Sequence, residues 1–177
     1  MNSDKVINIK NIIVWCSLLG SIIVRIILNI IFSAPTIAST SLALTGAVTL
    51  GPIGLLILKK SNVKLVMYGL CLSMMSYIVV MVVTNPILAN YLIIFYVMFV
   101  TVLYEDMRAI ILCGSGSTLF IVYFFIKYKD QLFDNVDTIQ NLPFLTIYII
   151  LGSIMFMILS YLMKKNLSVY AVGIQKK

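Results

Sequence analysis

The sequence predicts an all-α polytopic membrane protein with six transmembrane helices in one bundle and both termini in the cytoplasm. Of its 177 residues, 62% are hydrophobic and only 11% are charged, whereas an average soluble domain is about 25% charged. The apolar residues occur in runs of roughly 20, the length that crosses a hydrocarbon core of about 30 Å at 1.5 Å per helical residue. Basic residues cluster at alternate ends of these runs, as the positive-inside rule describes.

Six apolar runs define the predicted spans, and each is expected to be helical because lipid offers no water to satisfy an open backbone. The runs cover residues 11–32, 37–58, 65–83, 87–103, 107–126 and 142–163. They leave a cytoplasmic N-terminal segment at 1–10 and a basic cytoplasmic tail at 164–177.

Short polar or helix-breaking segments separate the runs. The first four are Ser33–Thr36, Lys59–Asn62, Thr84–Pro86 and Tyr104–Asp106. Proline near a helix start is well tolerated because the first N–H groups of a helix have no intrahelical partner. The remaining separator, residues 127–141, is mostly polar and is the one long loop that the sequence predicts.

The distribution of lysine and arginine predicts the orientation. Ten of these residues fall on the side of the two termini, only Lys127 and Lys129 fall on the other side, and Arg25 lies within the first span. Both termini are therefore predicted to face the cytoplasm, in a bacterial inner or plasma membrane. Because the basic residues are dispersed among helix ends, we expect them to contact anionic lipids of the bilayer and not nucleic acid.

The composition argues against an enzyme. The chain has no histidine, which excludes histidine general bases, histidine-activated nucleophiles and histidine-ligated metals. The three cysteines, Cys16, Cys71 and Cys113, are scattered through apolar runs and are expected to be buried packing residues. All six acidic residues fall at span ends or in loops. We therefore expect no catalytic residues, no cofactor and no metal site.

Arg25 is the one charged residue well inside a predicted span. It lies fourteen residues after Asn11, about 21 Å along the helix and thus in its outer third. Two interpretations stay open: the side chain extends outward to the lipid headgroups, or it faces the bundle and meets an outer-loop carboxylate or an anionic ligand. Asn29 follows one turn later on the same side of the helix and extends a polar stripe.

Three aspartates of the long loop are the predicted carboxylates near Arg25. Asp130, Asp134 and Asp137 are spaced i, i+4 and i+7, so they share one face if the loop forms a short interfacial helix. The alternatives are a solvated loop and a contact with a cation or ligand.

Small residues mark two further segments. Gly51, Pro52 and Gly54 lie within the second span, where proline removes a backbone donor and glycine permits close helix approach. This segment is interpreted either as a packing site or as a hinge. Gly114 and Gly116 in the fifth span are interpreted as packing residues, because no strand precedes them as a nucleotide-binding loop requires.

The segment Leu103–Arg108 resembles the hairpin between two helices of multi-pass sensor modules in bacterial signalling proteins. With Asn11–Trp15, Lys59-Lys60 and the six-span plan, the chain resembles the membrane domains of methyl-accepting chemotaxis proteins of Firmicutes over about residues 5–166. The resemblance implies a non-catalytic receptor or transducer that works as a homo-oligomer or with a signalling partner protein. The alternative is a small multi-pass transporter or permease subunit, although the two halves of the chain show no convincing inverted repeat.

Overall fold

The computed structural model describes residues 3–86, 88–132, 150 and 152–161, and the regular secondary structure of this part of the chain is all α-helix. Six helices follow one another along it: α1 (Ser3–Ile31), α2 (Thr36–Leu58), α3 (Val63–Thr84), α4 (Leu88–Val102), α5 (Met107–Leu132) and α6 (Gly152–Tyr161). The predicted all-α class is thus confirmed.

Four of the described helices, α1, α2, α3 and α5, are long and apolar enough to cross a membrane. The chain therefore has the length pattern and composition of a multi-pass membrane protein. The helix α4 has 15 residues, or about 22 Å, which is less than the hydrocarbon thickness of about 30 Å. The helix α6 is also short over its described residues. Membrane crossing by these two helices stays a prediction.

Two helices extend beyond the predicted spans. The helix α1 begins at Ser3 and not near Asn11, and Asp4 lies in its first turn, where a carboxylate interacts favourably with the helix dipole. The helix α5 continues six residues past the predicted end of its span and includes the first part of the predicted long loop. The reason is that hydropathy marks where apolar residues stop, whereas a helix ends only at a breaking residue, and residues 127–132 include neither glycine nor proline.

Side-chain caps place the turns at one end of the bundle. The Asn62 side chain accepts hydrogen bonds from the backbone N–H groups of Lys64 and Leu65, at 3.0 and 3.4 Å. Asp106 caps α5 in the same way through the N–H group of Arg108 at 2.8 Å. Such caps satisfy donors that a helix start leaves open. The predicted breaks are therefore hydrogen-bonded turns.

The helix α3 is the centre of the bundle. It packs against α1, α2, α4 and α5, and its buried share is the largest among the four long helices. Leu70, Met74 and Ile78 are spaced four residues apart on one face of α3, and all three are completely buried. The outer faces of α1 and α2 expose apolar side chains such as Ile30 and Leu44, as expected of surfaces that contact lipid.

The two glycines of α5 lie where neighbouring side chains approach its backbone. A Cβ atom on Gly114 would come within 2.7 Å of the Ser153 hydroxyl in α6, and one on Gly116 within 2.7 Å of a Met75 methyl in α3. The absence of a side chain at these positions lets both neighbours approach closely.

Candidate functional site

Polar side chains follow one side of α1 along most of its length. They are Lys10, Ser17, Ser21, Arg25 and Asn29, separated by seven, four, four and four residues. At 100° per residue these positions stay within one third of the helix circumference. The remaining residues of this stretch are almost all apolar.

The partners of this stripe come from α4 and the turn that follows it. Lys10 Nζ donates to Glu105 Oε1 at 2.7 Å, and the Tyr96 hydroxyl lies 2.9 Å from Ser17 Oγ. We call this set the α1–α4 polar seam. Its members are Lys10, Ser17, Ser21 and Arg25 on α1 with Asn90, Tyr96 and Glu105 on the facing side.

In the seam, α1 and α4 contact each other through side chains and not through closely packed backbones. The backbone of α1 packs mainly on α2 and α3, whereas that of α4 packs on α3 and α5. Tyr96 is half-buried and Ser17 is exposed, so the seam opens onto the surface of the described part of the chain. Polar groups at such a depth in a membrane are expensive and commonly mark functional positions.

At one end of the seam, Arg25 Nη2 donates to Asn90 Oδ1 at 2.6 Å. The Asn90 amide is itself held, because its Nδ2 donates to the carbonyl oxygens of Met81, at 3.1 Å, and Asn85, at 2.6 Å. These two bonds leave the amide oxygen as the group that meets the guanidinium. Asn90 is 1% exposed and thereby ties Arg25 to the turn between α3 and α4.

A cavity of about 330 Å³ opens beside this contact. Arg25, Asn29 and Asn85 form its polar wall, and Phe32 and Pro35 are among the residues of its apolar wall. Within the described residues, Arg25 Nε has no hydrogen-bond partner.

No acidic side chain whose placement the structure describes forms an ion pair with Arg25. The ion pair found within the described residues joins Lys10 to Glu105, at the opposite end of α1, and the Asn90 amide is neutral. Arg25 is half-buried. The cavity therefore presents a positive charge, while Arg25 Nε is buried and has no hydrogen-bond partner within the described residues.

The structure brings the two predicted residues Arg25 and Asn29 together on this cavity. Asp130 lies in the last part of α5, and Asp134 and Asp137 lie outside the described residues. The pairing of Arg25 with these carboxylates therefore stays a prediction.

The predicted hinge segment lies in the other half of the bundle. The helix α2 continues through Pro52, and Gly51 and Pro52 are exposed. The Trp15 indole lies against Gly54 and donates to the Leu50 carbonyl at 2.9 Å. Gly54 is thus a contact between α1 and α2, while nothing lies within 4 Å of a Cβ atom placed on Gly51.

Of the seven residues of the seam, only Arg25 was predicted from the sequence, and the ion pair between Lys10 and Glu105 was among those missed. Ser17 and Ser21 had a signal, because they continue the four-residue spacing of Arg25 and Asn29 toward the N-terminus. The sequence carried no such signal for Asn90 or Tyr96, because a single polar residue in an apolar run does not show which helix it faces.

The structure also brings two cysteines together. Cys71 in α3 and Cys113 in α5 are near enough to interact electrostatically, and both side chains are buried. All three cysteines were predicted to be buried packing residues; this is right for Cys71 and Cys113 and wrong for Cys16, which is exposed. Across the described ranges, no group of three or more histidine, cysteine, aspartate or glutamate side chains could hold a metal ion.

No protein-family model matches the chain, and neither the curated proteins nor the solved structures provide a match. The resemblance to sensor modules therefore rests on the sequence pattern alone.

Proposed function

We propose that the chain is a non-catalytic sensor module of a bacterial plasma membrane, which detects a small organic anion at the Arg25 cavity. The observation that carries this proposal is the guanidinium of Arg25, half-buried beside a cavity and held by a neutral amide. The proposed arrangement has six spans, with both termini in the cytoplasm. The ion pair between Lys10 and Glu105 supports it by joining two segments assigned to the same membrane face.

The chemistry of the cavity favours an oxyanion. A charged residue costs about 2.5–3.5 kcal/mol at the centre of a span on insertion scales and less in its outer third, where Arg25 lies, and a neutral amide does not compensate the charge. The planar fork of arginine matches the two oxygens of a carboxylate or sulfonate. Arg25 Nε is buried without a partner in the described residues, so it would complete that fork only if the guanidinium turned toward the ligand.

The size and walls of the cavity favour a short amphiphilic molecule. Its volume of about 330 Å³ is near the lower end of the 300–1,000 Å³ range of small-molecule sites. Asn29 and Asn85 can hydrogen-bond to a polar head, while Leu28 and Phe32 can contact a short apolar tail.

The seam provides a path for the signal. An anion that binds Arg25 competes with Asn90, which is anchored to the turn between α3 and α4. A shift of α1 against α4 would then reach the Lys10–Glu105 pair, fifteen residues or about 22 Å away along α1. A sensor needs two such arrangements that differ by only a few kcal/mol.

Binding can be tested with butanesulfonate, an anion that stays ionised, and with 1-butanol as the uncharged control. Purified protein would be heated with a maleimide dye that reacts with Cys71 and Cys113 only after unfolding, in a Cys16→Ser background. We expect butanesulfonate, and not butanol, to raise the Tm, since a ligand at 100 times its Kd stabilises by about 2.7 kcal/mol.

Matched variants assign that effect to Arg25. Arg25→Gln and Arg25→Leu should abolish the Tm increase, and Arg25→Lys should restore part of it because a point charge does not replace a planar fork. Arg108→Gln removes the same charge at an exposed position and should leave the increase intact. An unchanged response in Arg25→Gln would refute the site.

A second candidate function is a small transporter or permease subunit. The observation that favours it is the length of the α1–α4 polar seam, which joins both ends of the bundle. Uptake of labelled butanesulfonate into proteoliposomes separates the two functions. Binding with a change in Trp15 fluorescence and no uptake supports sensing, whereas Arg25-dependent uptake supports transport.

A further inference from the structure

We propose a second binding site, for an anionic glycerophospholipid, between α1 and α2 at the end of the bundle that holds Lys60 and Lys64. This site lies far from the Arg25 cavity and does not depend on the proposed sensing function. Two adjoining hollows form it: a polar one at the helix ends and an apolar one farther along the helices.

The polar hollow has the chemistry of a headgroup site. It measures about 580 Å³, and Lys60, Ser61 and Lys64 are among its lining residues. Asp4 is the single acidic residue of the lining, and neither lysine belongs to an ion pair within the described ranges. The Asn62 oxygen is already occupied by the two backbone N–H groups that it caps. The hollow therefore has a net positive charge and suits a phosphate.

The apolar groove has the chemistry of an acyl-chain site. It measures about 390 Å³, and its lining includes Ile12, Trp15, Leu55 and Leu58. The Trp15 ring is held by its bond to the Leu50 carbonyl, which makes it a rigid wall. Gly51 and Gly54 leave the α2 side of the groove without side chains. The groove is thus preformed.

The two hollows are arranged as one lipid requires. Leu58, which lines the groove, is the last residue of α2, and Lys60 in the polar hollow follows two residues later. On α1, Asp4 and Trp15 are eleven residues apart, which places them on the same side of the helix about 16 Å apart. A phosphate between Lys60 and Lys64 would therefore lie beyond the helix ends while its acyl chain extends into the groove.

Trp15 is the single tryptophan of the chain and lines this groove, so quenching of its fluorescence by a bromine atom shows that a brominated acyl chain lies near the groove. The experiment reconstitutes the full chain in phosphatidylcholine vesicles that contain a low fraction of dibrominated phosphatidylglycerol or dibrominated phosphatidylcholine. Bromine quenches tryptophan only at close range. Because each of the two lysines contributes roughly fivefold in affinity near an anionic headgroup, we expect an apparent preference of about 25-fold for phosphatidylglycerol.

Charge variants separate a local site from general surface attraction. In the Lys60→Gln/Lys64→Gln double variant, the two brominated lipids should quench Trp15 fluorescence equally. The Lys59→Gln/Lys127→Gln variant loses the same charge outside the hollow and should keep the preference. Equal quenching in the natural sequence, or loss of the preference in both double variants, would overturn the proposal.

A filling variant tests the groove itself. Cys16 lines the groove and is exposed, so Cys16→Phe should occupy the acyl-chain position and reduce quenching by both brominated lipids. Ile13→Phe adds the same ring at an exposed position that does not line the groove, and quenching should not change. Full quenching in Cys16→Phe would mean that the acyl chain lies elsewhere.

Discussion

The contact between Gly54 and Trp15 predicts opposite effects for the same substitution at two glycines. A Cβ atom on Gly54 would lie 3.0 Å from Cζ2 and 3.3 Å from Nε1 of the Trp15 ring. That ring cannot turn away without weakening its 2.9 Å hydrogen bond to the Leu50 carbonyl. Gly20, in the interior of α1, has nothing within 4 Å of a Cβ atom and provides the control.

The expected magnitudes follow from three contributions. Replacing glycine by alanine within a helix stabilises it by about 0.8–1.0 kcal/mol, and Gly20→Ala should show that gain in full. At Gly54 the same gain is offset by overpacking against the ring, about 1–3 kcal/mol, and by a weakened hydrogen bond of about 0.6 kcal/mol. Gly54→Ala should therefore be less stable than Gly20→Ala by roughly 2 kcal/mol.

Gly46 provides an intermediate case. Its Cβ atom would lie 3.0 Å from the Cδ1 methyl of Ile22, which is the flexible end of a side chain and can rotate away. The free energy of unfolding of Gly46→Ala should therefore fall between those of the other two variants.

The free energy of unfolding can be measured by titrating sodium dodecyl sulfate into dodecylmaltoside micelles. Maleimide labelling of Cys71 and Cys113, both buried in the folded chain, reports the unfolded fraction in a Cys16→Ser background. A double-mutant cycle with Trp15→Ala isolates the contact. The coupling energy should be about 2 kcal/mol for Trp15 with Gly54 and near zero for Trp15 with Gly20. Equal stabilisation by Gly54→Ala and Gly20→Ala, or zero coupling in both cycles, would refute the reasoning.

Three further predictions test other parts of the structure. In a Cys-free background, an impermeant maleimide added to intact cells should label Thr36→Cys and not Ser61→Cys, and the reverse pattern would invert the proposed topology. Mild oxidation with copper phenanthroline should join Cys71 to Cys113, because the two buried thiols are neighbours where α3 packs on α5. Persistence of both free thiols, detected by mass spectrometry after denaturation, would argue against this packing. Pro52→Ala restores a backbone donor within α2, so we expect a higher Tm and a smaller Trp15 response to butanesulfonate. An unchanged response would exclude Pro52 as a hinge.

Local properties of the chain were predictable where hydropathy and breaking residues coincide. The apolar run at 65–83 became α3 (Val63–Thr84), and the run at 37–58 became α2 (Thr36–Leu58). The predicted bounds differed more from the observed helix bounds at the polar ends of α1 and α5. There the sequence indicated where apolar residues end, which is not the same as where the backbone stops being helical.

The candidate site was predictable only in part. Arg25 stood out because a charge in an apolar run is costly, and Asn29 followed from helical spacing. Asn90 did not stand out, although it is the residue that bonds the guanidinium. Its role depends on the carbonyl oxygens of Met81, near the end of α3, and of Asn85, in the turn that follows, because they orient its amide.

The sequence by itself determined the all-α class, the apolar helices and the turns between them, because hydropathy and helix breaking act over a few neighbouring residues. Only the tertiary structure decided which helix faces which. It placed α3 at the centre, Trp15 on Gly54, and the polar stripe of α1 opposite α4. The physical reason is that, in a membrane, an apolar helix face contacts lipid as favourably as it contacts another apolar helix, so hydrophobicity alone does not select a partner. The choice of partner is therefore made by close steric fit and by polar groups that must find partners, and both depend on residues far apart in the chain.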